Sequence, residues 1–258
     1  MNVGIVGMGV IGSHIAKAIG NGIPGVTLTG VTVRRGTPAA GVPAYSIDEL
    51  IARADLVVEA ATQEALREFA PAVLEAGKHL MVLSVGALVD TLDDWGRLAQ
   101  QHGCRILVPS GAIAGLDAMK GAREGAIHAV TMQTRKPPRG LAGAPWIAEQ
   151  RIDLDAIRDE TLVFAGPASR AVRAFPANVN VVAALSLAGI GPERTRIEIY
   201  AVPGQATNQH RVTIEGEFGR LQLEIENIPS ENPRTGKLSY LSAIAMLREL
   251  GSSVRVGT

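Results

Sequence analysis

The sequence predicts an α/β protein: a doubly wound parallel sheet, followed by a second α+β domain carrying a mostly antiparallel sheet. Three observations predict it. From Asn2 to Pro109 short apolar runs alternate with helical periodicities, the pattern of strands buried on both faces between helices. After Pro109 the alternation stops, and three strand-like runs follow with little between them. The chain then closes on one more amphipathic helix. The expected boundaries are 1–110 for the first domain, rejoined by 236–258, and 111–235 for the second.

In the first domain "NVGIV" reads as a strand, and "GSHIAKAI" follows with Ile15, Ala16 and Ile19 at helical spacing. "VTLTGVTV" is β-branched and strand-like. Ser46 stands three residues before Glu49, a capping box that starts a helix. "DLVVEAA" predicts a third strand, "QEALREFAPAVLEAG" a helix ending at Gly77, and "HLMVLS" a fourth strand. "DTLDDWGRLAQQHG" predicts a helix closed by Gly103, and "CRILVP" a fifth strand. In the second domain "AIHAVTMQTR" predicts a strand, "RKPPRGLAGAP" a loop and "NVNVVAALSLAGIG" a helix. The runs "RTRIEIYAV", "TNQHRVTIEG" and "GRLQLEIENI" predict three strands. In the last, Leu221, Leu223 and Ile225 alternate with Gln222, Glu224 and Glu226, as in a sheet with one solvated face. The closing helix places Leu238, Leu241, Ile244 and Leu247 on one stripe, expected to return to the first domain.

Composition excludes several classes. With 47% hydrophobic and 19% charged residues, the chain has the apolar content to fold as a globule. A net charge of zero gives no field that would favour nucleic acid or a membrane surface. No apolar run reaches the ~18 residues of a membrane span and no signal peptide precedes the first strand, so a cytoplasmic protein is expected. The single cysteine, Cys104, rules out an intrachain disulfide, and it reads as a core residue. No cluster of ligating residues suggests a metal.

Gly7, Gly9 and Gly12 form G-x-G-x-x-G between a strand and a helix. They serve a tight turn, a close approach of backbone to pyrophosphate, and close packing of helix on strand. Val10 and Ile11 complete the helix start, whose free N–H groups face the phosphates. The strand that follows should end in an acid for an NAD ribose, but Arg34 and Arg35 stand there. A guanidinium cannot accept a hydrogen bond from a ribose; it matches the 2′-phosphate of NADP. The plain alternative is two solvated loop cations. The expected cofactor is therefore NADP or NAD, with NADP at least accepted.

Of the five histidines, His14, His79, His102 and His128 sit where structural roles suffice. His210 lies among polar residues at the start of a strand of the second domain, with an unperturbed pKa of ~6.5 suited to proton transfer. From position alone, catalysis and turn capping both remain open for it.

The segments "GMGVIG", "LSVGAL", "VPSGAIAGLDAMKGAREGAI", "RKPP", "FPANVNVVAALSLAGIG", "NQHRV" and "IENIPSENPRTGKLSYLSA", in this order, resemble the L-aspartate dehydrogenase family over nearly the whole chain. The resemblance implies a Rossmann domain and a sheet-rich catalytic domain. It also implies oxidation of L-aspartate with NAD or NADP to iminosuccinate, which gives oxaloacetate and ammonia, and a homodimer. It makes His210 the general acid/base. It places Asn178 near the nicotinamide and Asn180 near the substrate, with Ala112, Ile113 and Ala114 in a cleft-lining turn. Ala61 and Thr62 fall on the turn near the nicotinamide, where the family pattern leads one to expect a histidine near Thr62–Gln63; this chain departs from it. The substrate carboxylates need cations, and Arg135, Lys136, Arg234 and Lys237 are available. The homodimer is expected through the second domain, with Ile199 on the presented sheet. Two other readings stand beside this one: an iminosuccinate reductase in the physiological direction, and a catalytically silent NADP sensor.

Overall fold

The computed structural model describes residues 1–33, 41–176, 179–228, 230–231 and 236–257. The chain divides into two compact units, one made of Met1–Gly111 with Ser239–Val256, the other centred on Ala112–Leu238.

The first unit alternates β1 (Asn2–Val6), α1 (Val10–Gly20), β2 (Thr27–Thr32), α2 (Ile47–Arg53), β3 (Leu56–Glu59), α3 (Gln63–Glu75), β4 (His79–Val82), α4 (Leu88–Gln101) and β5 (Ile106–Leu107). Its sheet has the order β2-β1-β3-β4-β5 with every pairing parallel, the doubly wound arrangement. β3 shows why the strand runs read as continuously apolar: all four of its residues are buried. The capping box forms as read. Ser46 Oγ accepts from the Glu49 N–H, and the Glu49 carboxylate accepts from the Ser46 N–H.

The second unit contains α5 (Leu116–Ala122), β6 (Ile127–Lys136), α6 (Pro145–Glu149), β7 (Thr161–Pro167), α7 (Ala168–Ala174), α8 (Asn180–Ala188), β8 (Thr195–Ala201), β9 (Asn208–Gly216) and β10 (Gly219–Asn227). The sheet order is β10-β9-β6-β8-β7; β6 and β8 run parallel and the other three pairings are antiparallel. Strand β7 and the short helices α5, α6 and α7 add to the sequence expectation. One face of this sheet is core: Val130 and Met132 of β6, Ile197 and Ile199 of β8, and Val212 and Ile214 of β9 are buried. Ile199, expected on a presented surface, is only 1% exposed, because α7 and α8 pack on β8. The opposite face is polar. It carries the pairs Arg211–Glu224, Arg220–Glu215 and Arg135–Glu160, and Tyr200 and Gln133 both donate to Glu198.

The last helix, α9 (Lys237–Leu250), buries Ala243 and Leu247 in one cluster with Val3, Ile5, Ile15, Ile19 and Met81 of the first unit. Its buried stripe is turned from the one expected. Tyr240, Ala243 and Leu247 face inward and His14 stacks on Tyr240 at 4.0 Å, whereas Leu241 is 50% and Leu238 37% exposed. The helix is apolar around much of its circumference, so spacing alone left the choice of face open.

Candidate active site

Gly7 has φ +97°, and a Cβ there would come within 2.6 Å of the Ala60 carbonyl oxygen. A Cβ on Gly12 would come within 2.0 Å of the Gly7 oxygen, so only glycine lets α1 start this close to β1. At Gly9 a Cβ would meet nothing within 4 Å: the space above the helix start is open. Gly9 is the N-cap of α1, with no side-chain cap and no acid in the first turn, and Val10 and Ile11 form that turn. The first N–H groups and the positive dipole end are left for an anion. Beside this cradle lies a cavity of about 490 Å³ whose lining includes Thr32, Ile47, Asp48, Thr62, Phe69 and Ala72 together with Val6, Gly7 and Ala61. A pyrophosphate on the helix start with an adenosine in the cavity fits these residues, so they suit a dinucleotide. Arg34, Arg35 and Asn178 lie outside the described residues, as does Arg234.

The turn after β3 is anchored by an acid that sequence reading passed over. Glu59 ends β3 with none of its surface exposed. Its carboxylate accepts from the N–H groups of Ala61 (2.8 Å), Leu83 (3.1 Å) and Ser84 (2.7 Å), and from Ser84 Oγ (2.8 Å). Burial lifts this carboxyl above the usual carboxylate range, and the four donors pull against that. The signal was available: a lone charged residue ending the apolar run "LVVE" needs buried donors. Thr62 caps α3, its Oγ1 accepting from the Ala65 N–H.

In the second unit His210 of β9 pairs in register with Thr134 of β6, and His210 Nδ1 lies 3.1 Å from Thr134 Oγ1. Residues two apart on a strand share a face, so Lys136 of β6 and Asn208 of β9 join them. All four are buried, His210 at 4% and Lys136 at 5% exposure. Burial, reinforced by the Lys136 charge, drops the His210 pKa from 6.5 to about 3, while burial lowers Lys136 from 10.5 to about 8. At neutral pH the imidazole is therefore neutral and the ammonium still charged. Perturbed groups of this kind, brought together by a ladder, mark a chemical site.

The other expected residues are placed as follows. Arg135 points to the opposite face, ion-paired with Glu160 at 3.0 Å and lying over the Tyr200 ring, so it is not part of this cluster. Asn180 opens α8 half-buried, and Lys237 is exposed at the start of α9. Ala112 and Ile113 are buried, the Ala112 carbonyl accepting from Asn227 Nδ2 at 2.8 Å; Ala114 is exposed. His79 Nδ1 accepts from the Arg105 N–H, His102 ends α4 and His128 is exposed on β6. Thr134 was missed because its signal is register with His210, which appears only when β6 and β9 pair; Asn208, two residues before His210 on one strand, was open to strand alternation alone. Among the described residues no group of His, Cys, Asp and Glu could hold a metal ion, and no helix is long and apolar enough to cross a membrane.

Residues 117–250 match the family model described as aspartate dehydrogenase, C-terminal, and residues 7–109 match that of the homoserine dehydrogenase NAD-binding domain. The L-aspartate dehydrogenase of Methanosarcina barkeri is 45% identical, with all of both chains covered. L-aspartate dehydrogenase 3 of Bordetella bronchiseptica is 43% identical over all of this chain and 98% of its own. The crystal structure of aspartate dehydrogenase from Thermotoga maritima superposes with a TM-score of 0.80 at 27% identity, covering 100% of this chain and 99% of that one.

Proposed function

The chain belongs to the L-aspartate dehydrogenase family, and from that premise we propose how its residues carry the reaction. The enzyme is an oxidoreductase acting on the CH–NH2 group of L-aspartate: the product iminosuccinate is hydrolysed to oxaloacetate and ammonia, and the reverse is reductive amination. NAD or NADP, when bound, would supply the hydride acceptor for the substrate α-carbon. The observation that carries the residue assignment is the buried His210–Lys136 pair on one face of the β6–β9 ladder.

His210 is the general acid/base. With its proton on Nδ1 and donated to Thr134 Oγ1, the Nε2 lone pair is free to accept a proton from the substrate ammonium, so that the amine is neutral when hydride leaves. In hydrolysis the same nitrogen takes a proton from the attacking water and returns it to the departing ammonia. The substrate brings two carboxylates toward the pair, and their negative charge raises the low pKa of the imidazole into a useful range. Lys136 holds one of those carboxylates by a charge-assisted hydrogen bond, with Asn208 on the same face. Asn180, Lys237 and Arg234 are the remaining candidates for the other. Gly7, Gly9, Val10, Ile11 and Gly12 would hold the pyrophosphate and Ala61 and Thr62 extend that site; the family resemblance assigns Ala112 and Asn178 to the cofactor as well.

The test is direct: oxaloacetate and ammonia with NADPH or NADH, followed by loss of the nicotinamide absorbance. Turnover is expected. Failure in both directions would leave a dinucleotide sensor.

Cofactor choice is assigned to Arg34, which stands in the sequence where the ribose acid is expected, with Arg35 secondary. A charge-assisted hydrogen bond to the 2′-phosphate contributes about 1.5–3 kcal/mol, about tenfold to a hundredfold in Kd. Arg34→Asp is expected to weaken NADPH by that factor and to spare or strengthen NADH. Michaelis constants for both cofactors check it; an unchanged ratio in Arg34→Asp and Arg35→Asp makes both arginines solvated loop residues.

The homodimer forms through the second unit. With Ile199 enclosed, the sheet face left for a partner is the charged one bearing Arg211 and Glu224. A dimer is expected in sedimentation at micromolar concentration, weakened by raised salt because exposed pairs are screened. A monomer at low salt would count against it.

A further inference from the structure

Glu59 is the only buried carboxylate among the described residues, and it ends a strand at the carboxyl edge of the sheet where open α/β sheets bind their ligands. It pairs in register with Val6 of β1 and Val82 of β4. Its four donors come from two separate segments: Ala61 in the turn after β3, and Leu83 and Ser84 in the turn after β4. A second tie joins the same segments. Gln63, first residue of α3, lies so close to Gly86 that a Cβ there would come within 2.5 Å of Gln63 Nε2. Gln63 also lies in the Thr62–Gln63 stretch near which a histidine is expected, and its side chain packs beside Gly86.

We propose that Glu59 is a positioning residue for the nicotinamide half of the cofactor, holding the turns after β3 and β4 at one spacing. The proposal rests on the dehydrogenase reading above. The adenosine half fits the cavity along Thr32, Ile47, Asp48 and Phe69, to which the turn after β3 contributes Ala61 and Thr62, while Leu83 and Ser84 of the turn after β4 are not among its lining residues. The other half of a dinucleotide belongs to the second mononucleotide-binding half of the sheet, built here from β3, β4 and β5. Its walls are the two turns that Glu59 joins. An apolar residue at 59 would leave the buried N–H and hydroxyl of Ser84, and the partly buried N–H groups of Ala61 and Leu83, without this acceptor. A glutamine keeps the volume, but offers one acceptor oxygen and turns an NH2 group against backbone donors, so one turn must move.

The experiment compares ligands that use different parts of the site. Binding of the reduced cofactor preferred by the wild type, NADPH or NADH, is titrated beside its adenosine fragment, 2′,5′-ADP or AMP, in wild type, Glu59→Gln and Ser84→Ala. In Glu59→Gln the Kd for the whole cofactor is expected to rise about tenfold or more while that of the fragment stays within about twofold. Ser84→Ala, which removes only the hydroxyl donor, should show the same separation at about threefold, and it carries the test alone if Glu59→Gln does not fold. Equal weakening of both ligands, or no weakening of the whole cofactor, overturns the proposal. A wild type that binds neither reduced cofactor overturns the dehydrogenase reading instead.

Discussion

Replacing His210 with asparagine is expected to lower kcat/KM for L-aspartate about 10³-fold, within the usual range for loss of a general acid/base, while leaving cofactor affinity within about twofold. Asparagine is close in size, and its amide can keep a contact to Thr134 Oγ1, which lies 3.1 Å from His210 Nδ1. What it cannot do is accept a proton and return it. The loss should therefore appear in kcat as well as kcat/KM, in both directions of the reaction, because amine deprotonation and imine hydrolysis use the same nitrogen. A loss confined to KM would make His210 a binding residue.

Stability supplies a second readout that does not depend on turnover. The His210 pKa falls from 6.5 to about 3 on folding, so between those values the unfolded chain binds the extra proton. Stability is thus lost as pH falls through that window, and it is recovered as pH rises toward 6.5. His210→Asn removes the linkage, and its denaturation midpoint should depend less on pH there than that of the wild type. Parallel curves would mean that the imidazole is not buried in the neutral form.

The parallel sheet was legible because each of its devices is local. Buried strands read as apolar runs, Ser46 and Glu49 announce a helix by themselves, and the glycine triplet sits in the only context where all three of its constraints apply. The second unit was less legible because its order is non-local. β8 pairs parallel with β6 across more than fifty intervening residues, and β7, an added edge strand, follows a charged stretch with no turn signal of its own. His210 could be singled out by its polar neighbourhood and Lys136 named as an available cation, but that they belong together could not be read. Thr134 and Lys136 become partners only when the register of β6 against β9 is known. Arg135 and Lys136 look alike in sequence, yet strand alternation sends one to the charged face and the other to the core. Glu59 was hidden for a related reason: three of its four donors come from a turn beyond the next helix and strand.

That separation of Arg135 from Lys136 leads to an opposed pair of expectations for Lys136→Met. The lysine stands buried on the core face, and its pKa drops from 10.5 to about 8, a burden of about 3 kcal/mol on the folded state wherever the group is protonated in both forms. Methionine has similar length and no charge to bury. Relief of that burden offsets what the site loses on substitution, so the variant should melt close to the wild type, although the residue is buried and substitutions in a core usually destabilise. Function should not hold. Losing the charge that meets a substrate carboxylate is expected to raise KM for L-aspartate about a hundredfold, with a smaller change in kcat, because this contact exists in the ground state and persists in the transition state. The pH dependence gives the same conclusion from the wild type alone. The ammonium is charged below about 8 and neutral above it, so affinity for an unreactive dicarboxylate such as succinate should fall as pH rises through that value. In Lys136→Met the inflection should vanish and the affinity stay low throughout. A destabilised variant with unchanged KM would make Lys136 a structural residue, and the carboxylate anchor would then be sought at Asn180, Arg234 or Lys237. A variant that melts close to the wild type but has lost its substrate would show that the fold keeps a costly buried charge because the dicarboxylate needs it.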